Sequence, residues 1–171
     1  DKNLIGKLQK IIITSRDPAP PSISYLKSSG GIFRDMMIHD FDLCRFYLGK
    51  DEIKEIQAFT SSFEKFYNKI RDHELAVVTM KSKKGVICVV TNSRHCSFGY
   101  DQRVELFGKS GMLISGNKKK DSSELFNSKQ SGAQKPFLNF FKERYADAYN
   151  LQLKELVLLH KNKIKSRSTF E

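Results

Sequence analysis

Asp35 and His39 stand four residues apart in the stretch Ile32–Gly49, IFRDMMIHDFDLCRFYLG. Four residues make about one helical turn, so on a helix the carboxylate and the imidazole share a face. That pairing carries chemistry. A carboxylate beside an imidazole orients the ring and selects its tautomer, and a neutral imidazole accepts the proton of an alcohol O–H near neutral pH. Asp42 extends the same polar stripe. Identical spacing also serves an ordinary surface pair, and spacing alone does not separate the two readings. Asp40 adds a carboxylate nearby, yet no HExxH, zinc-finger spacing or EF-hand loop accompanies it, and no metal is expected.

The element that must position these groups is legible from its other face. Met37, Phe41, Cys44 and Leu48 fall at i, i+4, i+7 and i+11, the apolar stripe of a helix. Gly49 is a natural stop, and Gly30-Gly31 allow a sharp turn at the entry. The helix is predicted to pack its apolar stripe inward and to present Asp35, His39 and Asp42 on the opposite face. Before it, Lys7–Ser15 reads as a strand and Ala19–Ser29, with Pro20 and Pro21, as a loop. After it, Glu52–Ser62, Leu75–Lys81, Val86–Asn92, Arg103–Gly108 and Met112–Ser115 read as strands joined by short connections, which favour antiparallel neighbours. Lys65–Asp72 and Lys118–Lys135 read as polar loops, the second with room for an edge strand near Ser123–Asn127. Pro136–Leu159 reads as one long helix. The predicted class is α+β: an open, largely antiparallel sheet with helices on one face. Leu75 and Val77 alternate with Ala76, Val78 and Met80, so both sheet faces carry apolar residues. Helices cover one of them, and a second copy of the chain is the expected cover for the other.

With 171 residues, 39% apolar and 29% charged, the chain can bury a core. No run of apolar residues is long enough to span a bilayer, so no membrane association is expected. The net charge of +11 invites a nucleic-acid reading, but its sharpest clusters, Lys81–Lys84, Lys118–Lys120 and Lys161–Arg167, sit at turns and at a helix end, where such runs are solvated surface. Cys44, Cys88 and Cys96 form no CxxC and cannot all pair, and no glycosylation sequon occurs; the expected setting is cytoplasmic. There is no GxGxxG. Gly108-Lys109-Ser110 imitates the end of a phosphate loop, but Arg103 stands where its first glycine belongs, and a hairpin turn is the reading adopted.

The stretch GGIFRDMMIHDFDLCRFYLG (Gly30–Gly49) resembles the signature of the C-terminal domain of the glucose–fructose oxidoreductase/inositol dehydrogenase family, above all its inositol 2-dehydrogenase branch. ITSRDPAPP (Ile13–Pro21), NSRHCSFGYDQRVELFGKSGML (Asn92–Leu113) and PFLNFFKERYADAYNLQLKEL (Pro136–Leu156) continue the likeness in order over nearly the whole chain. The resemblance implies an NAD-dependent oxidation of a secondary alcohol on a cyclic polyol, most of all myo-inositol. It implies that His39 is the general base and Asp35 its partner and a substrate ligand, with Asp17, Tyr100 and Tyr149 lining the substrate pocket. The plain structural alternative for both tyrosines is packing with the hydroxyl at the rim, and for Asp17 a turn before Pro18. The family's N-terminal dinucleotide-binding domain, and the catalytic lysine of its Glu-Lys-Pro motif, have no counterpart in these residues, and Asp72-His73-Glu74 replaces a more usual acidic-Asp-Thr run. Residues 1–171 are therefore expected to be the substrate-binding and oligomerisation domain of such an enzyme, truncated at both ends, with NAD bound mainly elsewhere. The alternative is a non-enzymatic oligomerisation or binding module derived from one.

Overall fold

The computed structural model describes residues 4–166. Segments rich in Val, Ile, Thr and Phe form one six-stranded sheet: β1 (Leu8–Arg16), β2 (Ile53–Ser61), β3 (Leu75–Ser82), β4 (Ile87–Ser93), β5 (Asp101–Gly108) and β6 (Gly111–Ser115). Their spatial order is β2-β3-β4-β1-β5-β6. All neighbouring pairs are antiparallel except β1 with β4, which runs parallel. Tight turns can join only antiparallel neighbours; the parallel pair requires a long crossover, and the helical residues between Ile23 and Leu48 lie on it.

That crossover is shaped by two glycines. Gly30 and Gly31 have φ of 90° and 82°, a region that other residues rarely enter. They lead into a five-residue π-helix, Phe33–Met37, which runs directly into α2 (Ile38–Leu48). Met37 and Cys44 are buried against Ile11, Ile13, Val78, Cys88 and Val90, with Phe41 and Leu48 packed alongside. The predicted apolar stripe is thus the one that faces the sheet. On β3, Ala76, Val78 and Met80 point to this helix, whereas Phe59, Ile87, Phe107, Met112 and Ile114 lie exposed on the other face.

Four segments differ from the sequence expectation. The loop before the glycines contains a short helix, α1 (Ile23–Ser28), capped by the Ser22 hydroxyl, which accepts from the Tyr25 N–H; Leu26 is buried beneath it. The Lys65–Asp72 loop contains α3 (Lys65–Ile70), which buries Tyr67 and ends at Arg71 in the left-handed region. Six residues are too few for a periodic signal, and one anchored side chain on each supplies the stability instead. The Lys118–Lys135 segment carries a separate pair, β7 (Glu124–Leu125) with β8 (Ala133–Gln134), rather than an edge of the main sheet. Finally, Pro136–Leu159 is not one helix. Residues 136–140 are non-helical, and α4 (Phe141–Arg144) and α5 (Ala146–His160) are separated at Tyr145. The cause is competition for the backbone: the Leu138 N–H donates to the Lys118 carbonyl, and the Leu138 carbonyl accepts from the Tyr100 N–H at 3.0 Å. Helix α5 buries none of its residues, leaving Leu151, Leu153 and Leu156 about 60% exposed. Among the described residues all three cysteines are free and buried, and no helix is long and apolar enough to cross a membrane.

Candidate active site

The site is built on the ends of β1, β4 and β5. Ser15 pairs with Asn92 on one side and with Gln102 on the other, so three polar side chains form one row across three strands. They converge on Asp40. The Ser15 hydroxyl donates to Asp40 Oδ1 at 2.7 Å, Asn92 Nδ2 to Oδ2 at 2.8 Å, and Gln102 Nε2 to Oδ1 at 3.4 Å. Asp40 is 2% exposed. Burial pushes its carboxyl pKa up against the pull of these three donors.

A regular α-helix would not aim both Asp35 and Asp40 at the sheet. The π-helix does, because its i→i+5 geometry brings residues five apart into line. Asp35 is thereby half-buried at the sheet's end. Its Oδ2 accepts from Arg94 Nη1 at 2.8 Å, and its Oδ1 from the Tyr25 hydroxyl at 2.5 Å. The bond to Asp35 raises the Tyr25 pKa. No hydrogen bond or ion pair joins Asp35 to His39. His39 is exposed, and it stands next to Asp40 in the chain. Asp42 is also exposed and pairs with Arg45.

Asp17 and Arg94 are the first residues past the paired ends of β1 and β4, where Arg16 faces Ser93. The Asp17 N–H continues the ladder by donating to the Ser93 carbonyl at 3.0 Å. By strand alternation Asp17 shares a face with Ser15, and Arg94 with Asn92. Burial pushes the Asp17 pKa up to about 6; Arg94 opposes that shift, while Asp35 and Asp40 reinforce it. Tyr100 lies against Tyr145, edge to face, with ring centroids 6.3 Å apart. Burial raises the pKa of both hydroxyls, and the charge of Asp40 adds to each shift. Tyr149 sits one turn further along α5 and is 45% exposed.

Among the described residues no three acids, histidines or cysteines are grouped to hold a metal ion. A concavity of about 1090 Å³ runs over β5 and β6 between Phe46, Leu48, Val104, Leu106 and Leu113. It is mostly aliphatic, and neither Asp17, Asp35, His39 nor Asp40 lines it. The polar cluster, rather than this groove, has the groups to recognise a polar substrate.

Residues 1–114 match the family model described as the GFO/IDH/MocA C-terminal domain. The chain belongs to that family. It is 40% identical over 158 residues to the myo-inositol 2-dehydrogenase of Thermotoga maritima, covering 92% of this chain and 47% of that protein. Among solved structures, a myo-inositol dehydrogenase from Corynebacterium glutamicum superposes with a TM-score of 0.87 at 39% identity, covering 95% of this chain and 49% of that one. The scyllo-inositol dehydrogenase from Lactobacillus casei, solved with bound NAD(H) and scyllo-inositol, gives 0.86 at 27% identity, covering 99% and 51%. The chain spans about half the length of the relatives it matches.

In this GFO/IDH/MocA domain, Asp17, Asp35 and Tyr100 come together at one end of the sheet with His39 on the adjacent helix turn, while Tyr149 lies at the periphery. Sequence reasoning missed three contributors. Asp40 looked off-face because the π-turn has no periodic signature. Tyr145 falls inside the expected Pro136–Leu159 helix, although a break in that helix turns it toward Tyr100. Arg94 went unnoticed, although an arginine closing a β-branched strand is a signal in its own right, since a strand end buries such a charge only beside carboxylates.

Proposed function

We propose that this chain is the substrate-binding and catalytic half of an NAD-dependent oxidoreductase that oxidises a secondary alcohol of a cyclic polyol, myo-inositol first among them. The observation that carries this reading is the gathering of Asp17, Asp35, His39 and Tyr100 around the buried Asp40 at one end of the sheet. A polyol ring offers hydroxyl groups that each donate and accept, and carboxylates and phenols in fixed positions can read their arrangement. The His39 ring makes no hydrogen bond or ion pair to another described residue, which leaves its nitrogens open to a substrate hydroxyl. In this reading His39 takes the hydroxyl proton, Asp35 and Asp17 hold neighbouring hydroxyls, and Tyr100 closes one side. Tyr149 serves at the rim. Likeness to the inositol dehydrogenases of T. maritima and C. glutamicum supports the choice of substrate.

NAD supplies the hydride acceptor in such a reaction. The described residues do not fit its binding: the β1–α1 junction runs through Pro18, Pro20 and Pro21, the β2–α3 junction through Ser62-Phe63-Glu64, and neither has the glycine turn that lets a backbone approach a pyrophosphate. No residue here is assigned to the dinucleotide. Two further parts of the reading are self-association through the exposed sheet face and residence in the cytoplasm, which the three unpaired thiols fit. The test is to express the protein from its complete coding sequence and follow NADH formation with myo-inositol. His39→Ala should lower turnover by about 10²- to 10⁴-fold and leave folding intact, because His39 is exposed. Turnover within a few-fold of the parent would remove His39 from the mechanism. Binding of inositol without any oxidation would instead favour a non-enzymatic module.

A further inference from the structure

Arg94 is 0% exposed, the largest side chain in the fold to be fully enclosed. A buried guanidinium is tolerated only when its charge is matched, and here two carboxylates match it. Nη1 donates to Asp35 Oδ2 at 2.8 Å and Nη2 to Asp72 Oδ2 at 3.1 Å, while Nε is buried without a partner. Asp72 is itself pinned. Its Oδ1 accepts from the His73 N–H at 2.7 Å and from the N–H of Ile32, at the entry to the π-helix, at 2.8 Å. The Arg94 backbone is fixed as well, its N–H donating to the Glu74 carbonyl at 2.9 Å. A rigid fork therefore runs from the end of β4 to both the entry and the first turn of the π-helix that leads into α2, which carries His39.

Building on the dehydrogenase reading, we propose that Arg94 is a positioning residue of the active site: its fork, anchored on Asp72, sets the direction in which Asp35 presents to substrate Oδ1, the oxygen that Arg94 does not bond. The Tyr25 hydroxyl on that oxygen marks the direction, standing where a substrate hydroxyl would bond. Planar bidentate geometry makes arginine necessary, since a lysine keeps the charge but cannot span two carboxylates at fixed angles.

The test uses Arg94→Lys and Arg94→Met in the protein expressed from its complete coding sequence, with two readouts. The first needs no activity: NMR titration of Tyr25 and Asp17. In Arg94→Lys the Tyr25 pKa should fall toward the ordinary phenol value, as Asp35 loses its aim, while Asp17 stays in place. In Arg94→Met, Asp17 should titrate about 1 unit or more higher, because an opposing charge has gone. The second readout is turnover of myo-inositol. Arg94→Lys should lower kcat at least 10-fold with KM changed less, and the loss should largely vanish in an Asp35→Asn background, because the two changes act through one group. Should Arg94→Met fail to fold, Arg94→Lys carries both readouts. An unmoved Tyr25 in Arg94→Lys, or a kcat loss that persists undiminished with Asp35→Asn, would overturn the proposal. If the parent oxidises no inositol, the dehydrogenase reading fails and the titrations alone judge Arg94.

Discussion

At the scale of single residues, the site is a problem in placing negative charge. Asp17, Asp35 and Asp40 lie close enough for each of the last two to raise the proton affinity of Asp17, and Arg94 is the cation set among them. Asp17 has its carboxyl pKa pushed up to about 6 by burial, close to neutral pH. The raised value has a thermodynamic sign. The folded protein holds the Asp17 proton more tightly than the unfolded chain does, so Asp17 favours folding while it stays protonated. That contribution fades as pH rises from about 4 to about 6. Asp17→Asn cannot lose a proton, so its stability relative to the parent should grow across this window by something on the order of 2–3 kcal/mol. Urea melts of both proteins at several pH values measure it. A constant gap between them would mean that Asp17 is not desolvated as described.

At the scale of elements, the π-helix and the two glycines before it decide which side chains meet. Gly31 has φ of +82°, and a Cβ there would lie 3.1 Å from Asp72 Oδ1, the oxygen that holds the helix entry. Gly31→Ala should therefore cost roughly 1–2 kcal/mol from backbone strain alone and should disturb the Asp72–Arg94–Asp35 fork. Thermal melts, with the Tyr25 titration beside them, would report both effects. Much of this level was readable in the sequence. Met37, Phe41, Cys44 and Leu48 announced the buried stripe, and the β-branched runs announced six strands to within a residue or two. What was not readable has a common cause. The parallel pairing of β1 with β4, the place of Asp40 and the interruption at Tyr145 all depend on partners far away in the chain, such as Lys118 and Tyr100 bonding to Leu138. Local periodicity carries no trace of them. Conversely, the expected Asp35–His39 contact came from helical spacing, and the π-turn together with Arg94 directs Asp35 elsewhere.

At the scale of the whole molecule, the described residues cover the sheet on one side only. Phe59, Ile87, Phe107, Met112 and Ile114 lie on the uncovered face and are 41–64% exposed. Apolar groups spread over one broad surface favour association, and a second copy would place the same residues opposite one another. Phe107→Lys together with Ile114→Glu should shift sedimentation toward smaller species without lowering the melting temperature of the separated chain, because neither side chain is part of the core. No change in sedimentation would rule this face out as the contact. The central strand has a different consequence. Of the six strands of this sheet β1 is made first, yet its neighbours are late: Ile13 meets Val90 and Val104, 77 and 91 residues further along. A nascent chain must therefore keep the run Ile11-Ile12-Ile13 out of trouble until β4 and β5 have left the ribosome, and such long-range closure is slow. Asp17, Arg94 and Tyr100 flank that last seam. The polar cluster around Asp40 accordingly forms only after β4 and β5 have been made, and a ribosome halted before β5 would carry Asp35 and His39 without the strand ends that gather the cluster.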